Sequence, residues 1–132
     1  MFDPINLNDL SSEPSSHDSE SPVENRFKPK WSEVNCPSSG KRWMHASIIF
    51  DKYMIVYAGG NGREAFDDIV ALDLETNTWK AIEILGPKPV GRYGHSGDRW
   101  RSDTLVVFGG QTTSANIVKE TLLIKFDNTA SK

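Results

Sequence analysis

Gly60-Asn61-Gly62-Arg63-Glu64-Ala65 follows an apolar run and has the Gly-x-Gly-x-x-Ala spacing of a loop that wraps a pyrophosphate. Glu83 stands about twenty residues on, where an acid would hold a ribose hydroxyl. The chemistry would be hydride transfer with a nicotinamide, and it requires a helix after the loop. Instead the chain runs quickly into Asp73-Leu74-Glu75-Thr76-Asn77-Thr78, which reads as a turn. His45, His95 and Cys36 are metal-ligating types, but no carboxylate-rich spacing accompanies them. Ser96 adjoins His95 without the strained elbow that arms a serine nucleophile. Asp67-Asp68 precedes an apolar run and reads as a turn-forming, solvated pair rather than an acid–base couple. A different chemistry is offered by Arg42, Trp43, Asn61, Arg63, Arg92 and Tyr93. Arginine beside an aromatic ring is the composition that protein-binding hot spots favour. The competing reading for Arg42 and Arg92 is that they brace neighbouring sheets through carboxylates or carbonyls. For Trp43 and Tyr93 it is core packing.

The elements that position these residues repeat. Arg42-Trp43-Met44-His45 returns as Arg92-Tyr93-Gly94-His95, and Gly59-Gly60 as Gly109-Gly110, both fifty residues on. The run Tyr53–Ala58 matches Asp103–Phe108. Leu72-Asp73 matches Phe126-Asp127, with about four residues inserted in the second copy. Trp31 and Trp79 open similar stretches, Trp-Ser-Glu-Val and Trp-Lys-Ala-Ile. In the first copy Ala46–Phe50 and Tyr53–Ala58 read as strands joined at Asp51-Lys52. Ile69–Leu74 and Trp79–Leu85 read as the third and fourth strands. Gly86-Pro87-Lys88-Pro89 ends the ladder, because proline has no N–H to donate.

Di-glycine after an apolar strand, Leu-Asp before a turn, Asn-Thr-Trp, and Pro-x-Gly-Arg-x-x-His together resemble the kelch repeat. The resemblance spans residues 31–132. It implies an all-β fold, a partial kelch β-propeller of about two four-stranded antiparallel blades. It also makes His45, Gly59, Gly60, Asp73, Trp79, His95, Gly109, Gly110 and Asp127 structural repeat positions. Glycine pairs let the backbone take positive φ or approach a neighbour closely. Trp79 is expected to fill the space between blades.

The second copy departs from the first at Ser96-Gly97-Asp98-Arg99-Trp100, where Asp98 and Trp100 replace Ile48 and Phe50. A buried, unpaired aspartate costs several kcal/mol, so Asp98 must be paired or wet, with Arg99 or Arg101 as candidate partners. The sequence leaves a regular and an irregular strand equally open there. Counting from Asp127, the chain ends one residue before the tryptophan of a fourth strand. The leading stretch at Trp31 is of that missing type. Self-association through open blade edges is therefore an expectation, with chains completing one another's blades.

Residues 1–30 hold six serines, four prolines and six acidic residues. They bury too little apolar surface to offset ordering entropy and are read as a disordered acidic tail. Ser15 and Ser21-Pro22 are candidate phosphorylation sites within it. Residues 31–132 hold twelve acidic and twelve basic residues, so the formal charge of −3 belongs to the tail. A neutral folded part excludes nucleic acid and anionic membrane as the main partner. One cysteine, Cys36, excludes a disulfide framework. With no leader-like start, the expected location is cytoplasmic, with the nucleus left open.

The functional expectation is a non-enzymatic protein–protein interaction module, a scaffold or adaptor without cofactors. The kelch resemblance admits cytoskeletal, trafficking and ubiquitin-ligase contexts and selects none of them. The alternatives are an oxidoreductase of the copper or nicotinamide type and a truncated kelch remnant with little independent function.

Overall fold

A computed structural model describes residues 28–36 and 41–127. The expected tail therefore lies outside the described residues up to residue 27, as do the serines considered for phosphorylation. The described residues from Glu33 onward belong to one compact unit, separate from the unit that includes Trp31 and Ser32. Residues 31–36 belong to no strand and Trp31 is 89% exposed, so the leading strand expected there is not formed.

The described residues contain strands and no helix. Four strands make an antiparallel sheet in sequence order: β1 (Ala46–Phe50), β2 (Tyr53–Tyr57), β3 (Ile69–Asp73) and β4 (Thr78–Ile82). Three more make a second sheet: β5 (Ser96–Trp100), β6 (Thr104–Phe108) and β7 (Thr121–Lys125). β-Branched and aromatic residues fill β1 to β3, as a pleated buried surface favours. Asp51 takes φ 51° in the two-residue β1–β2 turn. Asp73 ends β3 by accepting hydrogen bonds at Oδ1 from the Glu75 and Thr76 N–H groups, and Asn77 at φ 56° completes that turn. Burial works against the Asp73 carboxylate. The two N–H donors and Lys52 outweigh it and hold its pKa below the usual carboxylate value.

The core lies between the sheets. Ile48, Ile55, Tyr57 and Ala71 of the first face Leu105 and Val107 of the second. The inner strands β1 and β5 lie so close that a Cβ added to Gly97 would sit 2.5 Å from the Ala46 Cβ. Glycine there replaces the serine of the first copy because the two backbones converge.

The pairing corrects the sequence alignment. First strands correspond at a separation of fifty, second strands at fifty-one and third strands at fifty-two. One extra residue sits in the β5–β6 turn and one in the β6–β7 loop. Gly59 is thus equivalent to Gly110, not Gly109. A Cβ on Gly59 would meet His45 Cβ and the Trp43 carbonyl at 2.9 Å; one on Gly110 would meet His95 Cβ and the Tyr93 carbonyl at 3.0 and 3.1 Å. Gly109 matches Ala58, and both take positive φ, 70° and 53°. Gly60 pairs with Trp43 as Gln111 pairs with Tyr93. Asp73 corresponds to Lys125, so Asp127 is not its repeat partner. The position matching Trp79 falls outside the described residues.

Ser96–Trp100 is a regular strand. Asp98 stays exposed and accepts a hydrogen bond from the Arg99 N–H at 2.7 Å. The expected guanidinium partner is absent: Arg99 donates instead to the carbonyls of Arg101 and Ile49. Trp79 is only partly buried, and its indole N–H is enclosed with no acceptor.

Candidate functional site

The segments before β1 and β5 carry the residues singled out for recognition, and the structure sorts them into two roles. Arg42 donates from Nη1 and Nη2 to the two Asp68 oxygens at 2.8 and 3.0 Å, and from Nη1 to the Ala58 carbonyl at 3.1 Å. Its guanidinium also lies 4.7 Å from the centre of the Phe66 ring. Arg92 repeats the arrangement with Glu120 at 2.9 Å and the Gly109 carbonyl at 3.3 Å, and it is fully buried. A bidentate or carbonyl-capped guanidinium is fixed in direction and unavailable to a partner. Both arginines are therefore braces rather than contact residues. Each side chain braces its own sheet, joining the approach to the first strand with the start of the third. The Arg92 backbone ties the two sheets together: its carbonyl accepts from Gly59 N–H at 2.9 Å, and its N–H donates to the Phe66 carbonyl at 3.0 Å.

Asn61 is also structural. Its Oδ1 accepts from the N–H groups of Arg63 and Glu64 at 2.9 and 3.0 Å and folds the loop tightly. This loop joins β2 to β3, and no helix N-terminus follows it. The Gly-x-Gly-x-x-Ala stretch thus lacks the element that would hold a pyrophosphate. Among the described residues no three His, Cys, Asp or Glu side chains converge as a metal site.

The aromatic pair overturns the core-packing reading. Trp43 is 48% exposed and Tyr93 partly buried, with ring centroids 5.6 Å apart and planes tilted by 35°. Together with Gly62, Arg63, Glu64 and Thr113 they line an open pocket of about 220 Å³. Arg63 comes from the β2–β3 loop and Thr113 from the equivalent β6–β7 loop. The two loops are joined where Ala65 N–H donates to Thr113 Oγ1 at 2.9 Å. Equivalent positions of both repeats therefore build one surface, with a stacked apolar floor and an exposed cation and anion at its rim. Glu64 and Thr113 were not legible as site residues. Asp68 and Glu120 were misread or missed, although an acid immediately before the third strand recurs in both copies.

The two histidines occupy equivalent positions in unlike settings. His45 is exposed, whereas His95 is 8% exposed and lies edge-on to Tyr57, with ring centroids 5.3 Å apart. Among the described residues neither His95 nitrogen has a hydrogen-bond partner, nor does the Tyr57 hydroxyl. Burial, then the nearby Arg92 charge, pushes the His95 pKa below 6.5. Burial raises that of Tyr57, with Arg92 opposing.

A family model described as the KLHDC2/KLHL20/DRC7 kelch-repeats domain matches residues 14–131. Putative adagio-like protein 2 of Oryza sativa subsp. japonica is 35% identical over 104 residues, covering 76% of this chain and 16% of the relative. Rab9 effector protein with kelch motifs of Homo sapiens is 31% identical over 103 residues, covering 76% of this chain and 28% of the relative. The chain thus spans a small part of the length of these relatives. The solved structure of YjhT matches with a TM-score of 0.56 at 22% identity, over 64% of this chain and 25% of that one, which supports the fold alone. Two antiparallel sheets of matching strand order, four-stranded and three-stranded, recurrent Arg–acid braces and the family match agree, and the chain belongs to the kelch-repeat family.

Proposed function

We propose that this chain is a non-enzymatic protein-binding module whose contact surface is the loop face holding Trp43, Tyr93 and Arg63. The observation that carries this reading is the tilted aromatic pair, Trp43 half-exposed and Tyr93 partly buried, beside Arg63 and Glu64. Large rigid rings supply apolar contact at little entropic cost, and a flanking charge supplies direction. A kelch-type scaffold or adaptor role follows from this surface. Its cellular context would be cytoplasmic or nuclear, and trafficking is one candidate, since a relative is named as a Rab9 effector.

The test is affinity enrichment from a cell lysate with the wild-type chain and a Trp43→Ala/Arg63→Glu double variant, read by quantitative mass spectrometry. Both side chains are exposed, so the variant should retain the wild-type circular dichroism spectrum. Proteins enriched by the wild type should fall about tenfold with the variant. Equal enrichment by both chains would remove this face from the proposal.

A further inference from the structure

At their loop end the two sheets are tied by the backbone of one short segment, Gly91–Gly94. Gly59 N–H donates to the Arg92 carbonyl at 2.9 Å, Arg92 N–H to the Phe66 carbonyl at 3.0 Å and Gly94 N–H to the Met44 carbonyl at 2.9 Å. The approach is tight: a Cβ at Gly91 would collide with the Ala65 carbonyl. His95 follows this seam directly and packs edge-on against Tyr57 of β2. Tyr93, inside the seam, sets its ring against Trp43 and close to Gly60. One stretch of chain thus carries the inter-sheet hydrogen bonds, half of the aromatic pair and a buried titratable ring.

The surroundings of His95 do not suit a proton. The residue is 8% exposed, and among the described residues neither ring nitrogen has a hydrogen-bond partner. The charged and titratable groups facing it are Arg92 on its own segment, Tyr57 from β2 and His45 from before β1. The acids that precede β3 and β7 are engaged: Asp67 with Lys88, Asp68 with Arg42 and Glu120 with Arg92. A protonated His95 sets a second cation beside Arg92 with no carboxylate to meet it. Burial, then the Arg92 charge, outweighs the Tyr57 backbone, which favours the charged ring, and the pKa falls below 6.5. Hydration relieves this conflict, and the ring reaches water when the seam opens.

We infer that His95 is an acid-operated latch: its protonation opens the Gly91–Gly94 seam and parts Tyr93 from Trp43, while the apolar core between the strands stays closed. Protonation is easier in the open state. The stabilisation of the closed seam is therefore fully present above pH 6.5 and is lost as the pH falls toward the lower pKa of the closed state. Ile48, Ile55, Leu105 and Val107 supply the core, and none of them lies on the seam, so the core outlasts the opening. That the latch governs partner binding rests on the proposed contact face; the opening itself does not.

Amide hydrogen exchange of the full chain, followed by NMR between about pH 7 and about pH 5, tests the latch without any ligand. Corrected for intrinsic rates, protection of the Gly59, Arg92 and Gly94 amides should fall by up to about tenfold per pH unit below 6.5, as linkage to one proton requires. It should stay at least about tenfold weaker than protection of Leu105 and Val107 in β6. NOEs between the Trp43 and Tyr93 rings should fade over the same range. His95→Gln should make seam protection independent of pH, and His45→Gln should not. Equal protection of seam and core at every pH would overturn the inference, since the sheets would then part only by unfolding. So would a pH response that persists in His95→Gln. If that variant does not fold, the wild-type His95 ring signal decides. It should titrate where the fall in protection levels off; titration near 6.5 with the seam still protected would mean that the ring takes its proton in place and no latch exists. Failure of the Trp43→Ala/Arg63→Glu enrichment would leave these results untouched, so either proposal can fail alone.

Discussion

His95 is a titratable ring enclosed at the junction of two sheets with neither nitrogen satisfied. The groups facing it are the Arg92 guanidinium, the neutral Tyr57 phenol and His45; Asp67 and Glu120 act on Tyr57 from the neighbouring loops. Because the folded pKa lies below 6.5, the unfolded chain binds the proton more readily in the window beneath that value. Stability from this source is complete above pH 6.5 and is lost as the pH falls toward the folded pKa. Urea midpoints should therefore decline between about pH 7 and pH 5, and His95→Gln should flatten that decline. An unchanged slope in the variant would show that His95 is solvated in solution. Asp73, whose folded pKa is lowered, acts in a separate window, losing its contribution only below about pH 4. The shared Arg-x-x-His motif was legible in the sequence. That one histidine would be buried and its repeat partner exposed was not, because burial depends on the sheet that packs against it.

The convergence of β1 and β5 sets how closely the two blades approach, and Gly97 permits it. Gly97→Val would place branched carbons against Ala46 and Leu105 and should cost about 1–3 kcal/mol. Thermal unfolding checks this, and a Tm within a degree of wild type would mean that the strands separate without cost. β5 itself shows what strand chemistry conceals. Asp98 and Trp100 depart from the apolar pattern of β1, yet the strand is regular, because those side chains lie on the face that no described sheet covers. The one-residue register shift has a similar origin. A residue added in the β5–β6 turn moves every later residue relative to the first repeat, whereas two adjacent glycines look alike at either alignment. Backbone pairing distinguishes them.

The two sheets share one apolar core, so they should unfold together. Leu105 is fully buried in the second sheet and packs with the first. Leu105→Ala should cost about 2–5 kcal/mol and lower both sheets' transitions equally. Single-tryptophan variants retaining Trp79 or Trp100 report the two sheets by fluorescence, and separated midpoints would refute a shared core. The outer face of the second sheet bears Trp100, Phe108 and Leu123, exposed by 47%, 60% and 63%.

What the sequence determined by itself was local: strands from β-branched runs, turns from Asp, Asn and Gly, and the repeat from its recurring anchors. These depend on neighbours a few residues away, and they sufficed for the all-β architecture and the family. Tertiary structure decided the rest. It turned Arg42 and Arg92 into braces by bringing Asp68 and Glu120 to them. It left Trp43 and Tyr93 side by side at the surface. Each of these outcomes depends on which surfaces meet across twenty or more residues of chain, and residue type alone carries no record of that meeting.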